Sequence, residues 1–321
     1  MAGRECSARK LTFKPSCEER PKRGRFSFCL KVSGDCLRLS LKGRIHSGVS
    51  AQTTPTADEI LRASHTARVP SQMTPKHIFL LSSGRMAFYL AAAEETGERR
   101  VRVAEAKVED VGFVSSSILE LGLDGLGASV AELLAGEGAN AAILAIDYVG
   151  KLRIRVNGKG KYHDGRLHLG VEESFGNCNL YISRPESDLV AREVFARVNP
   201  PVKEGRKLTA SERERVQGAQ RFILATASAR GADVSHRGGE AGFVQARETE
   251  LMFPDYPGNN MFATVGNLLE DGRCALLFPA LGEGRSLQIA GRAQVEMHSP
   301  NGEDLDTGRS IRVAIEHVIE E

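Results

Sequence analysis

The chain has 321 residues, of which 41% are hydrophobic and 26% are charged. This composition is typical of a globular protein, and the length suits about two domains. No uninterrupted apolar run approaches the roughly 20 residues that cross a bilayer as a helix, which argues against an integral membrane protein. The net charge of +2 is uneven, because residues 1–50 hold 12 Lys and Arg against 4 Asp and Glu, a net +8, and the rest carries −6. We therefore expect no nucleic-acid binding by the chain as a whole.

Residues 1–70 form a basic head with clustered Arg and Lys, scattered Ser and little periodicity. This pattern predicts a mostly disordered N-terminal extension. Two explanations stay open: a targeting segment for a mitochondrion or plastid, which Glu18 and Glu19 fit poorly, or an upstream extension that does not belong to the protein. Without a secretory signal, we expect a cytoplasmic protein in a reducing compartment. The cysteines of the head lack C-x₂₋₄-C spacing, so we expect no metal site.

The rest of the chain contains two similar stretches. Met86–Gly97 aligns with Gln220–Gly231 at an offset of 134 residues, and Gly112–Val114 is repeated as Gly242–Val244. The strict alternation at Leu152–Asn157 is typical of a half-buried strand. We therefore predict two copies of one β-rich module, at residues 71–185 and 216–321, with a linker and helix at 186–215 between them.

The second copy carries a pattern that favours an anion. In an extended segment, Asp233, Ser235 and Arg237 share one face of the strand. The glycine pair Gly238 and Gly239 removes side-chain bulk where the backbone turns or a ligand approaches closely. An arginine matches phosphate oxygens with forked donors, and a serine adds a further hydrogen bond.

A predicted helix follows this strand. Its apolar residues fall at helical spacing from Met261 to Leu269, with Asn259 or Asn260 as the N-cap and Asp271 at its end. A helix start of this kind offers unpaired N–H groups and the positive end of a dipole to an anion.

These motifs resemble the pyridoxamine 5'-phosphate oxidase-like family of FMN-binding split barrels. The matching segments are VSHRGG at Val234–Gly239, GFV at Gly242–Val244, DYPGNNMF at Asp255–Phe262 and GNLL at Gly266–Leu269. At Gly170–Ile182 the first copy resembles a two-barrel subgroup of the same family. The resemblance implies a mainly β fold with short helices, built as tandem split β-barrels of six antiparallel strands, with FMN bound at a dimer interface.

The resemblance also implies which residues bind the cofactor. Arg237 and Ser235 would hold the FMN phosphate, with Gly238 allowing close approach. The residues that would lie near the flavin are Asn259, Met261, Phe262 and Asn267.

The first copy lacks these features, since Val101–Lys107 has neither the serine nor the glycine pair. We therefore expect one flavin site per chain, with the first copy completing a wall of it if the copies pack as a pseudo-dimer. Arg153, Arg155 and Lys159 could contribute positive charge to that site, but we expect a solvated strand face for them. His236 should point away from Ser235 and Arg237 and pack in a core or interface, or else contact the flavin or substrate.

The resemblance implies a flavin-dependent oxidoreductase acting on a small-molecule substrate, with electrons from a reduced nicotinamide or a partner reductase. The residues indicate no catalytic triad, and no catalytic side chain is assigned. Two alternatives stay open: a haem-binding or haem-utilisation protein on the same barrel, and a non-catalytic flavin-binding module. A homodimer is also possible, and neither a nucleic acid nor a membrane is expected as a partner.

Overall fold

The structure, a computed structural model, describes residues 26–32, 35–41, 54–67, 69–95, 100–177, 179–182, 203–279, 285–303 and 305–320. The chain divides into two compact units, residues 1–53 and residues 54–321. In the first unit, strands β1 (Phe26–Val32) and β2 (Asp35–Leu41) pair as an antiparallel hairpin. The other residues of the basic head before residue 54 lie outside the described part of the chain.

The second unit begins with two helices, α1 (Ala57–Thr66) and α2 (Pro75–Leu81). A complete capping box between Thr56 and Glu59 begins α1, and its Ile60 is fully buried. The predicted extension to residue 70 is therefore wrong in its last part, because α1 packs against the folded unit. The capping box satisfies two backbone N–H groups that would otherwise lack partners at the helix start.

Six strands then close into the first barrel. They are β3 (Ala87–Ala93), β4 (Val101–Ser115), β5 (Ile118–Leu126), β6 (Ala139–Asp147), β7 (Leu152–His163) and β8 (Arg166–Asn177). Their order around the barrel is β3-β4-β5-β8-β7-β6, and every pair is antiparallel. Helix α3 (Ala128–Leu134) lies between β5 and β6. Inward-facing residues such as Leu90, Ile143 and Val156 form the barrel core.

The remaining elements form the second sheet. After the predicted linker, of which residues 186–202 lie outside the described residues, come β9 (Lys203–Gly205) and α4 (Ala210–Gly218). The other elements are β10 (Arg221–Ser228), β11 (Gly231–Gly238), β12 (Gln245–Ala246), β13 (Glu250–Pro254), α5 (Ala263–Glu270), β14 (Arg273–Phe278), β15 (Leu287–Met297) and β16 (Arg309–Glu320). The strand order is β11-β10-β14-β15-β16-β13-β12, with β9 paired to β16. The mainly β fold class with short helices is confirmed.

The first barrel and the second sheet have corresponding strand orders. Reading β4-β3-β6-β7-β8-β5 in the barrel and β11-β10-β14-β15-β16-β13 in the sheet gives the same sequence of connections. They differ at one place. β4 runs without a break from its pairing with β3 into its pairing with β5 and closes the barrel. In the second sheet the corresponding strand ends at Gly238 and resumes only as the short β12.

The barrel and the sheet pack against each other through an apolar layer. Strands β3 and β6 contribute residues such as Tyr89 and Leu144, and β10 and β11 contribute Ile223 and Val234. The outer face of β3 and β6 is therefore buried rather than exposed to solvent. In the described part of the chain, no helix combines the length and apolarity needed to span a membrane.

Candidate functional site

A cleft lies between the first barrel and the second sheet. The strands β7, β8 and β11 and the loop Asp255–Phe262 supply its walls. Five of the seven predicted cofactor-binding residues line it, namely Arg237, Gly238, Asn259, Met261 and Phe262. The cleft is therefore where most of the sequence motif converges, together with residues of the first barrel.

Two of those first-barrel residues are arginines. Arg153 and Arg155 line the cleft and are buried, each exposing less than a tenth of its surface. The expectation of a solvated strand face is wrong for both, because their face of β7 is turned toward the second sheet. Arg155 Nη1 donates to Asp233 Oδ1 and Oδ2 at 3.1 and 2.9 Å. Lys159, farther along the same strand, keeps a partly exposed side chain that pairs with Glu95.

On the opposite wall, Asp255 joins two further arginines. Arg237 Nη1 lies 2.7 Å from Asp255 Oδ1, and Arg309 Nε lies 2.9 Å from Asp255 Oδ2. The Arg309 guanidinium also stands over the ring of Phe262, 5.4 Å from its centroid. Because a planar guanidinium held by a carboxylate has few accessible rotamers, these contacts fix the orientation of both cations.

His236 also lines the cleft and contacts Arg153. It points away from Ser235 and Arg237, as predicted, and is buried at the contact with the first barrel. Arg153 Nη1 lies 3.2 Å from His236 Nδ1. Burial first, and then the positive charges of Arg153, Arg221, Arg237 and Arg155, hold the pKa of His236 well below its usual range. The imidazole is therefore neutral at physiological pH.

Two predicted residues do not line the cleft. Ser235 pairs with Leu224 across the strands, is fully buried, and its Oγ donates to the Leu224 carbonyl at 3.4 Å. It is therefore not available to a phosphate in the cleft. Asn267 lines a separate small cavity, where it accepts from Arg230 and donates to Thr226.

The glycine pair has a different cause from the one predicted. A Cβ at Gly238 would lie 2.6 Å from the carbonyl oxygen of Tyr181, and one at Gly239 would lie 2.7 Å from the ring of Phe243. Such distances are well inside van der Waals contact. The protein's own atoms occupy the space beside both glycines, so close packing rather than ligand approach requires them.

The loop before α5 also differs from the prediction. The N-cap of α5 is Phe262, in a left-handed conformation with φ 52° and without a side-chain cap. Asn260 is left-handed as well, with φ 56°, and Asn259 Oδ1 accepts from the N–H of Met261. The asparagines therefore shape the turn that lines the cleft instead of capping the helix. The predicted end at Asp271 is confirmed.

The charges and polar atoms of the cleft fit a phosphate. Among the described residues, four arginines line it, and Asp255 and Asp233 pair with three of them, so these six side chains carry a formal charge of 4 − 2 = +2. Those four are Arg153, Arg155, Arg237 and Arg309. A phosphate monoester carries about −1.5 to −2 at neutral pH. Several buried polar atoms of the lining residues have no hydrogen-bond partner among the described residues, namely Arg155 Nε, Arg237 Nε, His236 Nε2 and Asn177 Oδ1.

The match with known families falls on the second sheet. The family model described as pyridoxamine 5'-phosphate oxidase matches residues 208–316. Residues 208–316 are thus similar to the pyridoxamine 5'-phosphate oxidase family. The resemblance drawn from the sequence motifs is thereby confirmed for about a third of the chain. No curated protein matches the chain.

Several solved structures resemble part of the chain. HupZ from Group A Streptococcus is 12% identical, and the match covers 35% of this chain and 94% of that one, with a TM-score of 0.29. A FAD-binding protein from Mesorhizobium loti is 17% identical over 38% of this chain and 99% of that one, with a TM-score of 0.25. A candidate pyridoxamine 5'-phosphate oxidase from Lactobacillus delbrueckii is 15% identical over 33% and 95%, also at 0.25.

Proposed function

We propose that the chain binds one FMN in the cleft and acts as a flavin-dependent oxidoreductase. The observation that carries the proposal is the convergence of four arginines with the DYPGNNMF loop in one cleft of net charge +2. A dianionic phosphate would complement that charge and accept hydrogen bonds from the guanidinium groups. The match of residues 208–316 to the pyridoxamine 5'-phosphate oxidase family supports the same ligand, because the resemblance to that family implies FMN binding.

The chain's residues would hold and orient the cofactor. Asp255 and Asp233 keep Arg237, Arg309 and Arg155 in place before a ligand arrives, which lowers the entropy lost on binding. Phe175, which stacks under Arg155 at 5.6 Å, and Phe262 provide apolar surface on the cleft walls. Bound FMN would supply the electron-transfer chemistry.

We infer that the barrel and the sheet are copies of one module and that only one of the two retained the site. The strand registers support this. Phe88 pairs with Ala106 where Phe222 pairs with Arg237, and Leu90 pairs with Ala104 where Leu224 pairs with Ser235. Alanines thus stand in the first barrel where the second sheet has the arginine and the serine. The first barrel would instead contribute Arg153 and Arg155 to its neighbour's site, as a pseudo-dimer.

Absorbance of the freshly purified protein tests the cofactor. A flavin spectrum supports the proposal, whereas a Soret band would favour the haem-binding alternative. A colourless protein that takes up neither added FMN nor added haem would refute both. Titration of the flavin-loaded protein with NADH and NADPH then tests the electron donor. If neither NADH nor NADPH reduces the flavin, the remaining explanations are electron transfer from a partner reductase and a non-catalytic flavin-binding module.

Arg237→Ala tests the phosphate site. Asp255 keeps Arg309 as its partner in this variant, so the fold should be retained. Loss of a charge-assisted hydrogen bond corresponds to about 1.5–3 kcal/mol, or roughly 10- to 150-fold weaker FMN binding. Riboflavin, which lacks the phosphate, should bind equally well to both proteins. Lys107→Ala is the matched control, because Lys107 pairs with Asp124 on the first barrel and does not line the cleft among the described residues. Unchanged FMN affinity in Arg237→Ala would place the phosphate elsewhere.

A further inference from the structure

His236 has one ring nitrogen that the described residues leave without a partner. The side chain is buried and lines the cleft. Its Nδ1 is 3.2 Å from Arg153 Nη1, while its Nε2 has no hydrogen-bond partner among the described residues. A buried polar atom without a partner costs about 1–3 kcal/mol, so a nitrogen of this kind in a cleft calls for an explanation.

The contact with Arg153 decides which nitrogen carries the proton. A guanidinium has only N–H donors and never accepts, so Nδ1 must accept the hydrogen bond with its lone pair. A neutral imidazole has one N–H, which therefore lies on Nε2. Nε2 is thus a donor, with no lone pair in the ring plane to offer.

The surroundings keep His236 in this neutral state. The positive charges that act on it come from three strands, with Arg153 and Arg155 on β7, Arg221 on β10 and Arg237 on its own strand β11. The centroid of the Tyr148 ring lies 6.4 Å from the centroid of the imidazole. A second proton would have to be placed on Nδ1, against the Arg153 guanidinium. Burial and these charges both oppose it.

We propose that His236 recognises the ring system of the bound flavin, by donating its Nε2–H to an acceptor atom of the ring. This inference rests on the proposed function. The flavin ring has carbonyl oxygens and unprotonated nitrogens that accept hydrogen bonds, and the phosphate has better donors in the four charged arginines of the same cleft. His236 is thereby a positioning residue for the ring, as the arginines are for the phosphate.

The same geometry makes His236 a poor iron ligand. A histidine binds a metal through an unprotonated ring nitrogen. The lone pair of Nδ1 is taken by Arg153, and Nε2 carries the proton. Coordination through Nε2 would require breaking the contact with Arg153, which remains close and positively charged.

Two amide variants separate the donor from the rest of the side chain. His236→Gln places an amide N–H near the position of Nε2. His236→Asn keeps an acceptor near Nδ1 for Arg153, but it is too short to reach the position of Nε2. Loss of one neutral hydrogen bond predicts about 3- to 10-fold weaker binding for His236→Asn, by the same factor for FMN and riboflavin. His236→Gln should lose less than half of that factor.

Binding is measured by fluorescence titration of the full chain with FMN and with riboflavin. Thermal unfolding of the unliganded variants shows whether each is folded. Three outcomes would overturn the inference: unchanged affinity of His236→Asn for both flavins, a loss confined to FMN, which would assign His236 to the phosphate, or a haem Soret band that disappears in His236→Asn. Failure of the wild-type chain to bind any flavin is a different result, because it removes the proposed function itself.

Discussion

Arg155 carries a full positive charge into the contact between the barrel and the sheet, and Asp233 makes this possible. The carboxylate accepts two hydrogen bonds from Arg155 Nη1 and further ones from Asn157 and Thr264. Breaking such a pair by removing one partner is costly, because the other charge stays buried. Arg155 is thus held by a carboxylate before a ligand binds beside it.

The alternation of β7 could not reveal this burial from the sequence. Arg153 and Arg155 alternate with Ile154 and Val156, a pattern that predicts one wet face and one core face. Here the second sheet covers the outer face of β7, so the same alternation is found in a strand with two buried faces. The pattern specifies which residues share a face, but it does not specify what lies against that face.

Glu105 gives a prediction about stability at the residue scale. Ser286 Oγ donates to its carboxylate at 3.1 Å, and burial raises its pKa to about 7 from 4.5. Since the folded state holds the proton more tightly than the unfolded state, ionisation of Glu105 lowers the free energy of unfolding as the pH rises from about 4.5 to about 7. Glu105→Gln should remove this dependence and stabilise the protein by about 1–3 kcal/mol at pH 8.

Urea unfolding of Glu105→Gln and of wild type at pH 4.5 and pH 8 checks this expectation. The two proteins should be nearly equal at pH 4.5 and should differ at pH 8. Glu109→Gln on the same strand is the control, because that side chain is exposed. An equal effect of Glu105→Gln at both pH values would show that the charge is not the cause.

At the scale of elements, α1 and α5 pack closely because Gly266 has no side chain. A Cβ at Gly266 would lie 2.5 Å from the Cβ of Ser64. The two helices are also joined by His65 with Glu270 and by Arg230, which donates to the Ser64 carbonyl at 2.7 Å. The glycine of the GNLL motif thus serves helix packing.

Gly266→Ala should therefore destabilise the protein by about 1–3 kcal/mol through overpacking, although alanine favours a helix more than glycine does. Ser64→Gly in the same chain should restore much of the loss, because it removes the side chain that collides. Thermal unfolding of the two single variants and the double variant gives the interaction energy. Simple additivity of the two changes would mean that the helices do not meet at this point.

The loop Asp255–Phe262 shows what a sequence motif can predict at this scale. Its residues do line the cleft, and the end of α5 at Asp271 follows the sequence. The N-cap differs from the prediction. Asparagine adopts left-handed conformations and forms local hydrogen bonds in turns as readily as it caps a helix. The chain used Asn259 and Asn260 for the turn and began the helix after Phe262.

At the scale of the whole molecule, the strand order of the barrel agrees with that of the sheet, as the offset of 134 residues predicts for a repeat, and the repeat itself stays a prediction. The sequence could not predict that β11 ends at Gly238, nor that α1 packs against the folded unit. Both depend on contacts between segments far apart in the chain, such as Gly238 with Tyr181 and Gly266 with Ser64.

The division of the chain at residue 53 predicts how truncations behave. A chain of residues 54–321 contains α1, with Ile60 fully buried, whereas a chain of residues 68–321 lacks it. The shorter chain should be less stable by about 2 kcal/mol or more from the lost apolar burial. Thermal unfolding of both chains measures the difference, and equal stability would mean that α1 does not contribute to the folded unit.

The apolar layer between the barrel and the sheet has a consequence during synthesis. Tyr89, Leu144 and their neighbours leave the ribosome on the first barrel, but the strands that cover them are made only after that barrel is complete. At a synthesis rate of about 5–20 residues per second, this apolar surface stays exposed to solvent for on the order of ten seconds. The nascent chain is then at its most vulnerable to aggregation, and we expect its yield to depend on chaperones that hold the unfinished half.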